Sequence, residues 1–179
     1  KTGADISIHK AAEQGNIEAV TQHFAAGANV NAKDEDSKTP LLHAVVDGHK
    51  DVVELLIAKG ADVNAKGGRG LTPLHFSAGF YSGLRGRGGV GKEMVELLIA
   101  NGAELDGGES GRPIPLMAAI MKKDIGRKNI EIVELLVNNG ANLNAEMTVG
   151  QTPLRLAIQL TKHSLSQNKI ARLLIEKGA

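Results

Sequence analysis

One dipeptide constrains this chain more than anything else in it. Gly-Ala occurs at Gly27-Ala28, Gly60-Ala61, Gly102-Ala103, Gly140-Ala141 and Gly178-Ala179, and the steps between successive glycines are 33, 42, 38 and 38 residues. A self-similar period of 20–50 residues marks a stacked-repeat architecture, in which each unit buries its apolar face only against its neighbours. Such a stack presents a long open surface, and the class of work it implies is binding.

The segment 39–66 shows one unit in full. Thr39 can accept a bond from a free amide of the first turn, and Pro40 fits the first helical position, where its missing N–H costs nothing. Leu41, Leu42, Ala44 and Val45 form one apolar face, and Gly48-His49 stops that helix. Val52, Val53, Leu55, Leu56 and Ile57 mark a second helix that ends at Gly60. A polar stretch then leads to Thr72-Pro73. Each unit therefore reads as helix, turn, helix, long turn. Only 2% of the residues are aromatic (Phe24, Phe76, Phe80 and Tyr81), so the core must be built from Ala, Leu, Val and Ile, which suits thin stacked helices.

These residues resemble the ankyrin repeat, whose unit carries Thr-Pro-Leu-His near its first helix and Gly-Ala-Asp-Val-Asn-Ala after its second. Thr72-Pro73-Leu74-His75, Thr152-Pro153-Leu154 and a degenerate Ile114-Pro115-Leu116 fill the first motif, while Ala28-Asn29-Val30-Asn31-Ala32 and Ala141-Asn142-Leu143-Asn144-Ala145 fill the second. The resemblance implies an all-α solenoid of stacked helix-turn-helix units with hairpin-like loops, in one domain over 1–179 with repeats near 4–33, 34–66, 67–108, 109–146 and 147–179. It further implies that His9 and His75 bond to the backbone of a neighbouring loop, that Asn31, Asn64 and Asn144 bond the turn backbone, and that partners bind on the concave face.

The first unit departs from the pattern. It has Ile6-Ser7-Ile8-His9 at the opening, and Gln22 and His23 stand where Leu55 and Leu56 stand in the next unit. Polar residues in place of buried ones suggest an N-terminal cap. The last unit keeps Ile170, Leu173, Leu174 and Ile175, an apolar edge that is costly in water. The expectation is a piece of a longer protein, or an edge that packs end to end on another copy.

The period slips in one place only. From each glycine to the next opening (Gly27 to Thr39, Gly60 to Thr72, Gly102 to Ile114, Gly140 to Thr152) there are always 12 residues. The extra residues therefore lie between the two helices of a unit, nine in the third and five in each of the fourth and fifth. The third insertion is a glycine-rich loop around 79–93. In the fourth and fifth, over 117–124 and 154–163, the missing Gly-His stop implies a first helix one turn longer. Windows 79–93, 121–131 and 160–172 hold 10 basic and 3 acidic residues, +7 against −6 for the remainder. A formal net charge of +1 thus hides a polarised chain, which steers charged partners.

Catalytic and ligand chemistry finds little support. There is no cysteine for a thiolate site or nucleophile, and no nucleophilic serine elbow. Gly86-Arg87-Gly88-Gly89-Val90-Gly91-Lys92 has the spacing of a phosphate-cradling loop, but Glu93 follows where a magnesium-binding hydroxyl is needed, and no strand precedes it. His43 and His49 flank a helix end without a carboxylate in register, and zinc needs three or four convergent ligands. Asp34-Glu35-Asp36 reads as a solvated turn whose carboxylates make poor acids or bases. No enzyme activity, cofactor or metal is expected. There is no apolar run long enough to span a membrane, and the setting expected is cytoplasmic, or host cytoplasm for a host-associated microbe.

The expected function is non-catalytic protein–protein interaction. The residue pairs that close the first helices, including Val46-Asp47 and Met121-Lys122, with Phe80, Tyr81 and Leu160, give an apolar stripe, and Arg85 and Arg87 supply a basic rim. The alternative is an electrostatic binder of nucleic acid or anionic lipid through the basic insertions. The absence of stacking aromatics and groove-reading motifs makes nucleic acid the weaker partner.

Overall fold

A computed structural model describes residues 6–79, 91–109, 111–121, 127–147, 150–160 and 165–179, the side chains of 127–128 and 165–167 excepted. Those residues hold ten α-helices and no strand: α1 (Ile8–Glu13), α2 (Ile17–Ala25), α3 (Pro40–Asp47), α4 (Lys50–Ala58), α5 (Pro73–Ala78), α6 (Lys92–Ala100), α7 (Pro115–Met121), α8 (Arg127–Asn138), α9 (Pro153–Leu160) and α10 (Leu165–Glu176). Consecutive helices pair as α1–α2, α3–α4, α5–α6, α7–α8 and α9–α10. The first members stack in one row, α1–α3–α5–α7–α9, and behind them α2 packs on α4, and α6 and α10 on α8. This is the all-α solenoid expected from the sequence.

The helices start and stop for the reasons read from the motif. Thr39 accepts the Leu42 N–H at 3.3 Å with Pro40 at the first helical position. In the first unit, which lacks the proline, Ser7 takes over as N-cap by accepting the Lys10 N–H at 3.2 Å. α3 ends on Gly48 in the left-handed region (φ 78°), where a Cβ would clash with the following carbonyl. One core runs through the whole stack. Leu42, Val45, Leu56, Leu74, Leu98, Met117, Ile132, Leu136, Ile170 and Leu174 have no exposed surface to speak of, and each such side chain contributes roughly 2–3 kcal/mol by leaving water.

The long turns close as hairpin-like loops. The N–H of Asp34 donates to Lys38 O at 3.0 Å, Gly67 to Leu71 O at 3.0 Å, and Met147 to Gln151 O at 3.1 Å. These loops are tied to one another. Asn31 Nδ2 donates to Gly60 O at 3.4 Å while its Oδ1 accepts the Asp62 N–H at 2.9 Å. Asn64 repeats the pattern one unit on, to Gly102 O at 3.0 Å and from the Glu104 N–H at 2.8 Å. Asp106 stands in that slot in the third unit, and accepts the Asn142 N–H at 2.9 Å.

The insertions are described only in part. The residues where the first helices of the fourth and fifth units were to run on, 122–126 and 161–164, lie outside the described residues. The visible part of the extra length is on the second helices. α8 and α10 have 12 residues each, whereas α2, α4 and α6 have 9. Asn129, buried in the added turn of α8, donates Nδ2 to Ala119 O at 3.1 Å. That bond does the job of the His49 N–H, which caps the equivalent Ala44 O at 2.9 Å in a unit without an insertion.

Candidate functional site

Histidines join successive units along the first-helix row. His9 donates Nε2–H to Ala32 O at 2.8 Å, and His75 donates to Pro113 O at 3.0 Å, as expected for that slot. His75 has no exposed surface, and its Nδ1 accepts the Thr72 N–H at 3.1 Å. Burial penalises the imidazolium and lowers its pKa to about 4, although the Pro113 carbonyl pulls the other way. His49 reaches back 36 residues to Glu13 O at 2.9 Å, and its ring lies where a Cβ on Gly15 would sit. Glycine is required there twice over, because Gly15 is also left-handed (φ 68°).

Two expectations about carboxylates need correction. His43 does have a carboxylate partner, with Nε2 2.7 Å from Asp34 Oδ2. Nor is Asp34 a freely solvated turn residue. Its Oδ1 accepts the N–H groups of Asp36 at 3.0 Å and Lys38 at 2.8 Å. Burial would raise its pKa, but the His43 hydrogen bond, the two backbone donors and the charge of His43 together outweigh that and hold the carboxyl below its usual range. Asp34 organises the loop tip, a structural role invisible in the bare triplet Asp34-Glu35-Asp36. Glu35 and Asp36 are exposed.

Of the residues singled out as a binding stripe, Val46 and Leu160 are half-buried and packed on the core, whereas Met121 is 44% exposed at the end of α7. Val46 and Met121 share a register, six residues after the helix-opening proline. Leu160 lies one position further on, at the register of Asp47. The Asp47 carboxyl is raised above its usual range, mainly by burial and then by the charge of Glu13. Phe80, Tyr81, Arg85, Arg87 and Lys122 fall outside the described residues, as does most of the glycine-rich loop that mimics a phosphate-binding sequence. Gly91 and Lys92 simply open α6, where Lys92 Nζ lies 3.5 Å from Glu96.

The last unit is mixed. α10 keeps the interior pattern, with Ile170 and Leu174 buried, and Ile175 is 58% exposed. α9 does not keep it. Arg155 occupies the position of the buried Leu42 and Met117, is exposed, and donates Nη1–H to Gly150 O at 2.8 Å. Gln159 is hydrogen-bonded to Gln151. With Ile158, 51% exposed, these residues line a shallow depression of about 330 Å³. Among the described residues, no group of three or more His, Asp or Glu could hold a metal ion, and no helix is long and apolar enough to cross a membrane.

Comparison with known proteins bears on what such a stack is. Three relatives match over part of the chain. Acyl-CoA-binding domain-containing protein 4 of Oryza sativa subsp. japonica is 45% identical over 49 residues, covering 27% of this chain and 15% of that protein. The probable E3 ubiquitin-protein ligase XBOS33 of the same species is 36% identical over 77 residues, 42% of this chain and 15% of that protein. The transient receptor potential cation channel subfamily A member 1 homolog of Caenorhabditis elegans is 35% identical over 77 residues, 42% of this chain and 6% of the channel. The chain thus spans well under a fifth of each of these relatives. A family model described as ankyrin repeats (3 copies) matches residues 8–107 and again 87–179. With paired helices, hairpin-like loops, and histidine and asparagine ties between units already in view, the chain belongs to the ankyrin-repeat family.

Proposed function

We propose that the chain is a non-catalytic protein-binding module that receives its partner along the outer ends of the first helices. The observation that carries this reading is Met121, a large apolar side chain left 44% exposed at the end of α7, with half-buried Val46 and Leu160 ending α3 and α9. An exposed apolar centre with a charged rim, here Asp47 and the basic residues Lys122, Arg85 and Arg87, is the usual composition of a protein interface. Phe80 and Tyr81 belong to the same surface in this reading. The division into five repeats at 4–33, 34–66, 67–108, 109–146 and 147–179, and a cytoplasmic setting, are parts of the same proposal.

The test is capture of interacting proteins on the immobilised chain, beside Met121→Asp and, as a control on the far end face, Ile175→Asp. Met121→Asp is expected to lose the captured protein by roughly tenfold or more in affinity while Ile175→Asp retains it. Equal retention by both folded variants refutes the surface. Affinity that falls steeply and linearly with the logarithm of salt concentration replaces it with the polyanion-binding alternative.

A further inference from the structure

Two dipeptides in the chain are prone to deamidation, and the fold places both in one setting. Asn101-Gly102 and Asn139-Gly140 are the only Asn-Gly sequences present. Glycine has no side chain to hinder its own nitrogen, so this pair deamidates more readily than other Asn-X sequences. The deprotonated Gly nitrogen attacks the Asn Cγ, the bond from Cγ to the side-chain nitrogen breaks, and ammonia leaves. The cyclic imide that results takes up one water at either carbonyl and opens to aspartate or isoaspartate. Water is the only co-reactant.

We propose that Asn101 and Asn139 are latent deamidation sites whose rate is set by the opening of the C-termini of α6 and α8. Both residues are exposed, and a Cβ on either following glycine would meet nothing within 4 Å, so solvent has access. Exposure is not enough, because the folded helix end blocks ring closure. Asn101 has ψ 19°, which turns the Gly102 nitrogen away from its Cγ, so attack needs a large backbone rotation. Asn101 Nδ2 donates to Leu97 O and Asn139 Nδ2 to Leu135 O, both at 2.8 Å. The nucleophilic nitrogens are themselves engaged, the Gly102 N–H with Ile99 O at 3.0 Å and the Gly140 N–H with Val137 O at 3.1 Å.

The two sites are held unequally. Gly102 O accepts Asn64 Nδ2–H at 3.0 Å, so a neighbouring loop braces the α6 terminus. In the corresponding place before Gly140 stands Asp106, whose ionised carboxyl has no hydrogen to offer. Asn139 is therefore the faster site. Each event removes a donor that caps the last helical turn and leaves a carboxylate against its carbonyls, at the negative end of the helix dipole. Both together take the formal net charge from +1 to −1.

Mass-spectrometric mapping of isoaspartate, after incubation of the chain folded and in urea at mildly alkaline pH, tests this directly. In urea both sites react at similar rates. In the folded chain both are expected to be slower by at least roughly 30-fold, Asn139 ahead of Asn101. Asn101→Lys and Asn139→Lys, the residue type that Lys59 and Lys177 place at this position, abolish the product at their own sites. Asp106→Asn, which itself makes a third Asn-Gly pair with Gly107 that is mapped separately, slows Asn139 in the folded chain and leaves its rate in urea unchanged. Equal rates with and without urea, no isoaspartate in urea, or Asn101 ahead of Asn139 in the folded chain would overturn the proposal.

Discussion

His75 is a buried imidazole that the fold needs in its neutral form, and this makes acid sensitivity calculable. Its Nε2–H is given to Pro113 O and its Nδ1 accepts the Thr72 N–H, so an added proton would land on Nδ1 and turn an attraction into a clash of donors. The pKa falls from 6.5 to about 4 on folding, with burial as the leading cause. Below pH 6.5 the unfolded chain takes up a proton that the folded chain refuses, so stability is lost as pH falls from 6.5 towards 4. Linkage gives a loss of about 2 kcal/mol between about pH 7.5 and about pH 5, and about 3 kcal/mol by about pH 4. That is a sizeable part of the roughly 5–15 kcal/mol typical of a domain. The matching variant is His75→Leu, because Leu42 fills the equivalent buried slot one unit earlier. At neutral pH it should be less stable by about 1–3 kcal/mol, since Pro113 O and the Thr72 N–H lose their partner. Its stability should then fall less steeply with acid, so that the two proteins converge near about pH 5. Urea denaturation of both at several pH values measures this, because every other titrating group is common to the pair. Parallel stability–pH curves would refute the reasoning, as would an imidazole proton resonance for His75 titrating near 6.5.

Two further predictions concern the loops. Ser37 is left-handed (φ 60°), and the corresponding tip residues Gly70 and Gly150 are glycines at 70° and 66°. Ser37→Gly should therefore stabilise the chain by about 0.5–1 kcal/mol in thermal or urea denaturation. Asp106→Asn restores the donor that Asn31 and Asn64 supply in their own units and should add about 0.5–1 kcal/mol by the same assay, provided that the Asn142 N–H keeps its acceptor.

The local parts of this structure were legible in the sequence, and the parts that depend on a neighbouring unit were legible only where a motif encoded them. Thr39, Pro40 and Gly48 act within a few residues of themselves, so their positions fixed the limits of α3. His75 and Asn64 make contacts 38 residues away, yet could be assigned because their slots recur in a known pattern. Asp34 with His43, and His49 with Glu13, have no such pattern. Their geometry depends on how the loop tip closes and on Gly15 leaving room for a ring. Arg155 is not marked by any motif either. The apolar pattern of α10 carries no information about which face of α9 is exposed. Of the candidate surface, Val46, Asp47, Met121 and Leu160 lie at first-helix ends as expected, but half-burial of Val46 and Leu160 depends on packing that no residue type announces.

The asparagine ties between loops bear on how such a chain can change over generations. Asn31 and Asn64 hold each loop to the one after it at a set spacing, so a residue added or lost on that rim would throw neighbouring units out of step. At the junction inside each unit the tie differs from one unit to the next: His49 reaches Glu13 O between the first two units, which carry no insertion. In the fourth unit, which carries one, the side chain of Asn129 holds Ala119 O. One rim thus behaves as a ruler and the other as a place for novelty, and lengths of 12, 12, 12 and 12 against 0, 9, 5 and 5 are what such a division of labour leaves in the sequence.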